Sequence, residues 1–415
     1  MPVDRRTIVF GVTIDYQLRY HDGLYQRLAD EGWAVHLIAG HGPNAVRFSK
    51  HPGITVHKLE MVRNPAPWAD LRSLSRWVAL LRDIRPDVVV VGTPKAGLLG
   101  SLASRFIHVP VRIYELHGLR LESARGGLFR LLKLMEQLAC LAATQVIAVG
   151  QSLRDRAIDG KLVSARKITV LGGGSPNGVD VDRLARAARN ERAMRCLRAE
   201  LGIADDDIIV TFVGRVTADK GIESLARAMA DLEVDSKFRL LVVGGIDDES
   251  GRRGESKLRA VLPRVSFVGE VADVAPYLAI SNVFCLPSRR EGLPTVVLEA
   301  FAAGIPVVAT AATGIIDLVA NGETGRLVAI DSPTALAEAL REAVRDIDGS
   351  ETMALAAYRL VKERYAQEVV QLRWIEAIKR NVERQSGKSD RAHRPTRFSP
   401  ADAAFRSGES RRRRA

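Results

Sequence analysis

Several things this sequence lacks would each have set its class at once. No run approaches the roughly 18 consecutive apolar residues that a membrane-crossing helix needs, so no span is expected. Cysteine is scarce: Cys140, Cys196 and Cys285 are odd in number and far apart. That argues against a disulfide framework and against a zinc site, suits a reducing cytoplasm, and leaves each thiol as a small buried apolar group. Aromatic residues make up only 5%, and no basic stretch is interleaved with them, so no nucleic-acid partner is expected. No G-x-G-x-x-G follows the first strand-like segment, which leaves a nicotinamide oxidoreductase poorly supported. The opening MPVDRRTIVFGVTID lacks a small-residue cleavage site after its basic pair, and is expected to be a β-strand rather than a signal peptide.

What is present describes a globular protein of 415 residues, 47% hydrophobic and 27% charged. That length predicts two domains of about 150 to 200 residues each. The net charge of +12 is uneven, with +9 in residues 1–180, −3 in 181–385 and +6 in 386–415. A basic N-terminal half suggests an anionic partner such as a membrane surface, against the simpler reading of a solvated arginine-rich face.

The first half alternates short apolar runs with amphipathic ones. Strands are predicted at 7–14, 34–40, 88–92, 111–118 and 145–150, and helices at 24–33 and 71–86. Continuous apolar strands alternating with helices indicate a parallel sheet covered on both faces. The pattern restarts with strands at 208–214, 238–245, 265–269, 283–287 and 307–310, a helix at 221–232, and a last helix at about 367–383. The fold class is therefore α/β, with two Rossmann-like doubly wound domains facing across a cleft. We place the N-terminal domain at 1–175, the C-terminal domain at 176–385 with its terminal helix returning to the N-terminal domain, and a disordered basic tail at 386–415.

Three segments carry chemistry. EGLPTVVLEAFAAGIPVVAT (291–310) predicts a helix with Pro294 at its first position and Gly304 after its last turn. Such a helix start offers unpaired N–H groups and a positive dipole to phosphate, and Gly292 has no side chain to block an anion. Thr295 and Glu299 share one helix face, so a phosphate at Thr295 leaves Glu299 one turn deeper, in reach of ribose hydroxyls. A glutamate among Val296, Val297, Leu298 and Ala300 is costly unless paired. The alternative is a plain packed helix with capping glutamates. The second segment, VGRVTADKGIESL (213–225), puts Gly214, Arg215 and Lys220 on one loop after a strand. Two cations there balance a diphosphate and stabilise it as a leaving group without a metal, although an isolated R-x4-K is more often a solvated pair. The third, YELHGLRLES (114–123), ends a strand with His117, either a packed histidine or a ligand for a sugar.

Together these segments resemble family 4 retaining glycosyltransferases of the GT-B fold, over roughly residues 5–380. The resembling pieces are Glu291 and Glu299 in E-x7-E, GRVTADKG, and NGVDVDRL. The resemblance implies that Arg215 and Lys220 bind the diphosphate, that Glu299 binds ribose, and that Glu291 and His117 contact the donor sugar. Gly214, Gly292, Leu293, Pro294 and Thr295 complete the donor site. It also implies a front-face substitution with retention, no metal or other cofactor, and a UDP-sugar as the family-weighted donor. The N-terminal half resembles bacterial surface-polysaccharide enzymes that extend undecaprenyl-diphosphate-linked sugars, through DYQLRYHDGLYQRLADEGW (15–33), RPDVVVVGTPKAGLLG (85–100) and ELHGLRLES. Where many members carry Gly-Gly after the first strand, this chain reads TIDYQLRYH; His21 and Lys95 are the acceptor-facing candidates. The acceptor is expected to be lipid-linked or a small glycosyl group. SARGGLFRLLKLMEQLACL (123–141), with Leu128, Phe129, Leu131, Leu132, Leu134 and Met135 beside Arg125, Arg130 and Lys133, is a basic amphipathic helix. Such a helix either packs on its own sheet or lies on an anionic membrane, which fits a cytoplasmic enzyme at the inner face of the plasma membrane. Competing readings are a sugar-nucleotide epimerase and a non-catalytic glycan- or anion-binding protein.

Overall fold

Short β-branched runs such as VVVVG at 88–92 bury every residue, which only a strand covered on both faces allows. The computed structural model describes residues 5–62, 66–232, 237–246 and 248–392. Among the described residues thirteen strands form two sheets, with every strand pairing parallel. The first holds β1 (Thr7–Gly11), β2 (Ala34–Ala39), β3 (Ile54–Lys58), β4 (Val88–Gly92), β5 (Val111–Leu116), β6 (Gln145–Ala148) and β7 (Ile168–Val170), in the order β3-β2-β1-β4-β5-β6-β7. The second holds β8 (Ile208–Val213), β9 (Phe238–Val243), β10 (Val265–Gly269), β11 (Val283–Leu286), β12 (Val307–Thr310) and β13 (Arg326–Val328), in the order β10-β9-β8-β11-β12-β13. Both orders reverse direction once, between β1 and β4 and between β8 and β11. In open parallel sheets, ligands sit at the strand C-terminal ends beside such a reversal.

The long helix Gln367–Ala392 crosses back to the first domain. Its Val370, Trp374, Ile375 and Ile378 are buried in one cluster with Ile8, Phe10 and Tyr25. Gln367 and Gln371 add hydrogen bonds to the Asp22 carbonyl. The helix runs to Ala392, so the expected tail boundary at 386 falls inside regular structure; no proline or glycine pair interrupts it before Pro395. The rest of the expected tail, 393–415, lies outside the described residues. Cys140 and Cys285 are buried as expected, but Cys196 is exposed, because its helix Glu191–Glu200 buries none of its residues.

The loops at the C-terminal ends of the two sheets meet. Gly292, after β11, lies so close to the loop after β5 that a Cβ on it would fall 1.7 Å from the His117 carbonyl oxygen. Its lack of a side chain therefore also serves domain contact, beyond the anion access expected from sequence. Asp317 accepts hydrogen bonds from the Ser152 amide and hydroxyl, so the C-terminal domain caps the first turn of helix Gln151–Asp159 in the N-terminal one.

Candidate active site

The loop expected to hold a diphosphate follows β8. Gly214 has φ +150° and packs so tightly on the next loop that a Cβ on Gly244 would stand 2.0 Å from the Gly214 carbonyl. Gly221 has φ +73°, and a Cβ there would meet the Pro287 carbonyl at 1.9 Å, so only glycine permits the turn. Between these glycines the chain makes a short helical turn, Ala218–Lys220, which carries Lys220 toward the loop after β11. There Lys220 Nζ lies 2.5 Å from Glu291 Oε1, which also accepts from Ser288 Oγ at 2.7 Å. Arg215 is exposed on the same loop. Its positive charge reaches Tyr20 of the N-terminal domain, whose hydroxyl pKa is raised mainly by burial and opposed by Arg215. Tyr20 in turn packs on the His117 ring, with centroids 4.7 Å apart. Arg215 and Lys220 of one loop, Glu291 of a second and His117 of the other domain thus converge at the β8/β11 reversal.

Helix Thr295–Ala302 starts one residue later than expected: Pro294 is its N-cap, with φ −75° and ψ 104°, not its first helical residue. Pro294 offers no side-chain oxygen to that end, and Thr295 is exposed at the first position. Gly304 has φ +74° just beyond the last turn, as a helix stop requires. Leu293 is buried, with its methyl group against Gly150 of the other domain. Glu299 is partly buried, 3.8 Å from Arg183. Burial pushes its carboxyl up to about 7, against the pull of Arg183 and Arg19 and with a further push from Asp273. Arg183 and Asp273, which pair with each other, were not singled out from sequence; NGVDVDRL contains Arg183 without marking its side chain, and Asp273 lies in a separate loop that nothing marked.

Both acceptor candidates need correction. His21 is 2% exposed, turned inward by Phe10, Tyr25 and the edge of Trp374, with Nε2 2.7 Å from Glu115. Lys95 is 5% exposed and its ammonium is held 2.6 Å from Asp70. A histidine on a turn and a lysine at a helix start look open in sequence; here packing and a carboxylate occupy them. Glu115 was missed altogether, although a glutamate inside the apolar strand VRIYEL was a legible signal, since a buried carboxylate requires partners.

Models of two families match the chain: "Glycosyl transferase 4-like domain" over residues 18–174 and "Glycosyl transferases group 1" over 194–359. The chain is 31% identical over 363 residues to the capsular polysaccharide biosynthesis glycosyltransferase CapM of Staphylococcus aureus, covering 86% of this chain and 93% of that protein. It belongs to the family 4 glycosyltransferases. This glycosyltransferase is also 28% identical over 286 residues to the Escherichia coli UDP-Gal:alpha-D-GlcNAc-diphosphoundecaprenol alpha-1,3-galactosyltransferase, covering 68% of this chain and 72% of that one. Its GT-B fold is that of Anabaena HepE, solved in complex with UDP and glucose, at TM-score 0.75 and 20% identity, covering 90% of this chain and 99% of HepE.

Proposed function

We propose that this glycosyltransferase moves a hexose or N-acetylhexosamine from a UDP-sugar, with retention and without a metal, onto a lipid-diphosphate-linked or small glycosyl acceptor in surface-polysaccharide synthesis. The observation that carries the reading is the convergence of Arg215, Lys220 and Glu291 at the β8/β11 reversal, against His117 of the other domain. In this reading Arg215 and Lys220 take the diphosphate and stabilise it as it leaves. Lys220 then exchanges Glu291 for phosphate, which frees Glu291 for the sugar. Glu299 takes the ribose hydroxyls. The named activity of the Escherichia coli relative supports a UDP donor and a diphosphate lipid acceptor.

Helix Gly126–Ala142 supports work at an anionic membrane surface. Leu128, Leu131, Leu134, Leu138 and Leu141 recur at helical spacing and are 37% to 63% exposed, with Arg125, Arg130 and Lys133 beside them. Phe129 is exposed too, whereas Leu132 is buried and Met135 half-buried, so the inward face is narrower than the sequence suggested. Among the described residues no helix is long and apolar enough to cross a membrane.

The test is calorimetric binding of UDP, GDP, ADP and NAD in metal-free buffer. Selective UDP binding supports the proposal; binding of NAD alone, or of none by the folded protein, refutes it. Sedimentation with phosphatidylglycerol vesicles checks the surface: Leu131→Glu/Leu134→Glu should abolish binding that the unmodified protein shows.

A further inference from the structure

Beneath the site lies a carboxylate that the reaction as described does not use. Glu115 is the penultimate residue of β5, is 1% exposed, and places one oxygen, Oε2, between two imidazoles. His21 Nε2 lies 2.7 Å from it and His117 Nε2 lies 3.2 Å from it. Burial alone would raise the Glu115 pKa, but His117 and then His21, by charge and hydrogen bonding, bring it well below the ordinary carboxylate range. The surroundings seat both rings. Trp374 of the returning helix meets His21 edge-on, centroids 4.9 Å apart. Gly92, at the end of β4, leaves room for the His117 ring, because a Cβ there would lie 2.5 Å from Nε2. A cavity of about 10 Å³ adjoins the cluster, lined in part by Tyr25, Glu115 and both histidines.

We propose that Glu115 is a positioning residue that orients the His117 ring and fixes its tautomer, so that Nδ1 is the atom presented to the transferred sugar. The hydrogen bond made by one ring nitrogen sets the protonation of the other; His117 Nε2 is buried, has no other hydrogen-bond partner and stands 3.2 Å from Oε2 without yet being aligned on it, and such contacts in unliganded sites align and tighten when substrate binds. His21 Nε2 donates to the same carboxylate oxygen and holds Glu115 in place, which accounts for a histidine packed away from solvent. The catalytic consequence rests on the reading of His117 as a sugar contact; the orientation itself does not.

Histidine-selective nitrogen-15 spectra of the full chain at pH 8.5 test the orientation directly. His117 should show a single tautomer protonated at Nε2, and Glu115→Gln should turn it into a mixture. Release of UDP from UDP-glucose, UDP-galactose or UDP-N-acetylglucosamine should fall about 100-fold in Glu115→Gln, the order expected for a group displaced by an ångström. UDP affinity should stay within about twofold, because other residues hold the diphosphate. Gly92→Ala, which displaces the ring and leaves the carboxylate, should reproduce the loss and replaces Glu115→Gln if that variant does not fold. On a His117→Ala background, Glu115→Gln should add nothing. An unchanged His117 spectrum in folded Glu115→Gln, or full turnover in Gly92→Ala, overturns the proposal. Full turnover in His117→Ala with a shifted tautomer in Glu115→Gln overturns the sugar contact and leaves the orientation standing.

Discussion

The carboxyl of Glu299 is pushed up by burial to about 7, so the proposed ribose contact should make donor binding depend on pH. A ribose diol offers two protons, and the ionised carboxylate has the acceptor capacity for both. UDP should therefore bind the ionised form, and protons should compete with it. About one tenth of Glu299 is ionised at pH 6 and about nine tenths at pH 8, so the apparent Kd should fall roughly tenfold between them and level off above. The terminal phosphate of UDP loses its last proton near pH 6 and adds its own slope. The ratio of Kd values for wild type and Glu299→Gln removes that contribution, because both proteins bind the same ligand. Glu299→Gln should bind UDP more weakly at pH 8, by roughly tenfold for the loss of charged hydrogen bonds, and equally at pH 6. Titration calorimetry in buffers of different ionisation enthalpy should show that wild type releases about half a proton more than the variant per UDP at pH 7. A ratio that does not change between pH 6 and pH 8, in a folded variant, would refute the assignment of Glu299 to ribose.

Arg215→Ala should lower turnover more than UDP affinity, as steady-state kinetics would show, because its charge is most needed as the diphosphate departs; a loss confined to affinity would place it in ground-state binding instead. Gly292→Ala should prevent the two domains from meeting, since its Cβ would stand 1.7 Å from the His117 carbonyl. Small-angle scattering should show a larger radius and assays little turnover, while both domains remain folded. Glu136, buried on helix Gly126–Ala142 against the Tyr114 hydroxyl, has its carboxyl pushed up by burial to about 7 despite that hydrogen bond. Its favourable contribution is full below about pH 4.5 and is lost as pH rises through 7. Glu136→Gln should therefore stabilise the protein at pH 8 by about 3 kcal/mol and by little at pH 4, read from urea unfolding.

Much of this architecture is local in origin and legible in the chain. All ten expected strands form, because buried parallel strands are short β-branched runs that need no partner to be recognised. The strands overlooked, β3, β7 and β13, are all at sheet edges. Edge strands are short and half-solvated, so they carry little apolar periodicity; β7 and β13 have three residues each. Seven of the ten predicted strands ran long at their C-terminal ends, as at 7–14 against Thr7–Gly11, because residues of the following loop are apolar too.

The loops proposed to hold the donor were legible as loops for the same reason. Gly214, Gly221 and Gly304 are required by backbone geometry within a few residues, and Arg215, Lys220, Glu291 and Glu299 lie on the loops and helix those glycines shape. His21, Lys95 and Glu115 were not, because their states depend on strands and helices up to several hundred residues away. Trp374 closes over His21, Asp70 holds Lys95, and two histidines from different segments meet on Glu115. Sequence by itself determined the strand–helix alternation, the two doubly wound domains and the loops that bear the proposed donor-site residues, since each follows from local periodicity and turn chemistry. Only the tertiary structure decided which polar side chains face the site and which are buried beneath it, because desolvation and charge pairing are set by neighbours that the chain brings together on folding.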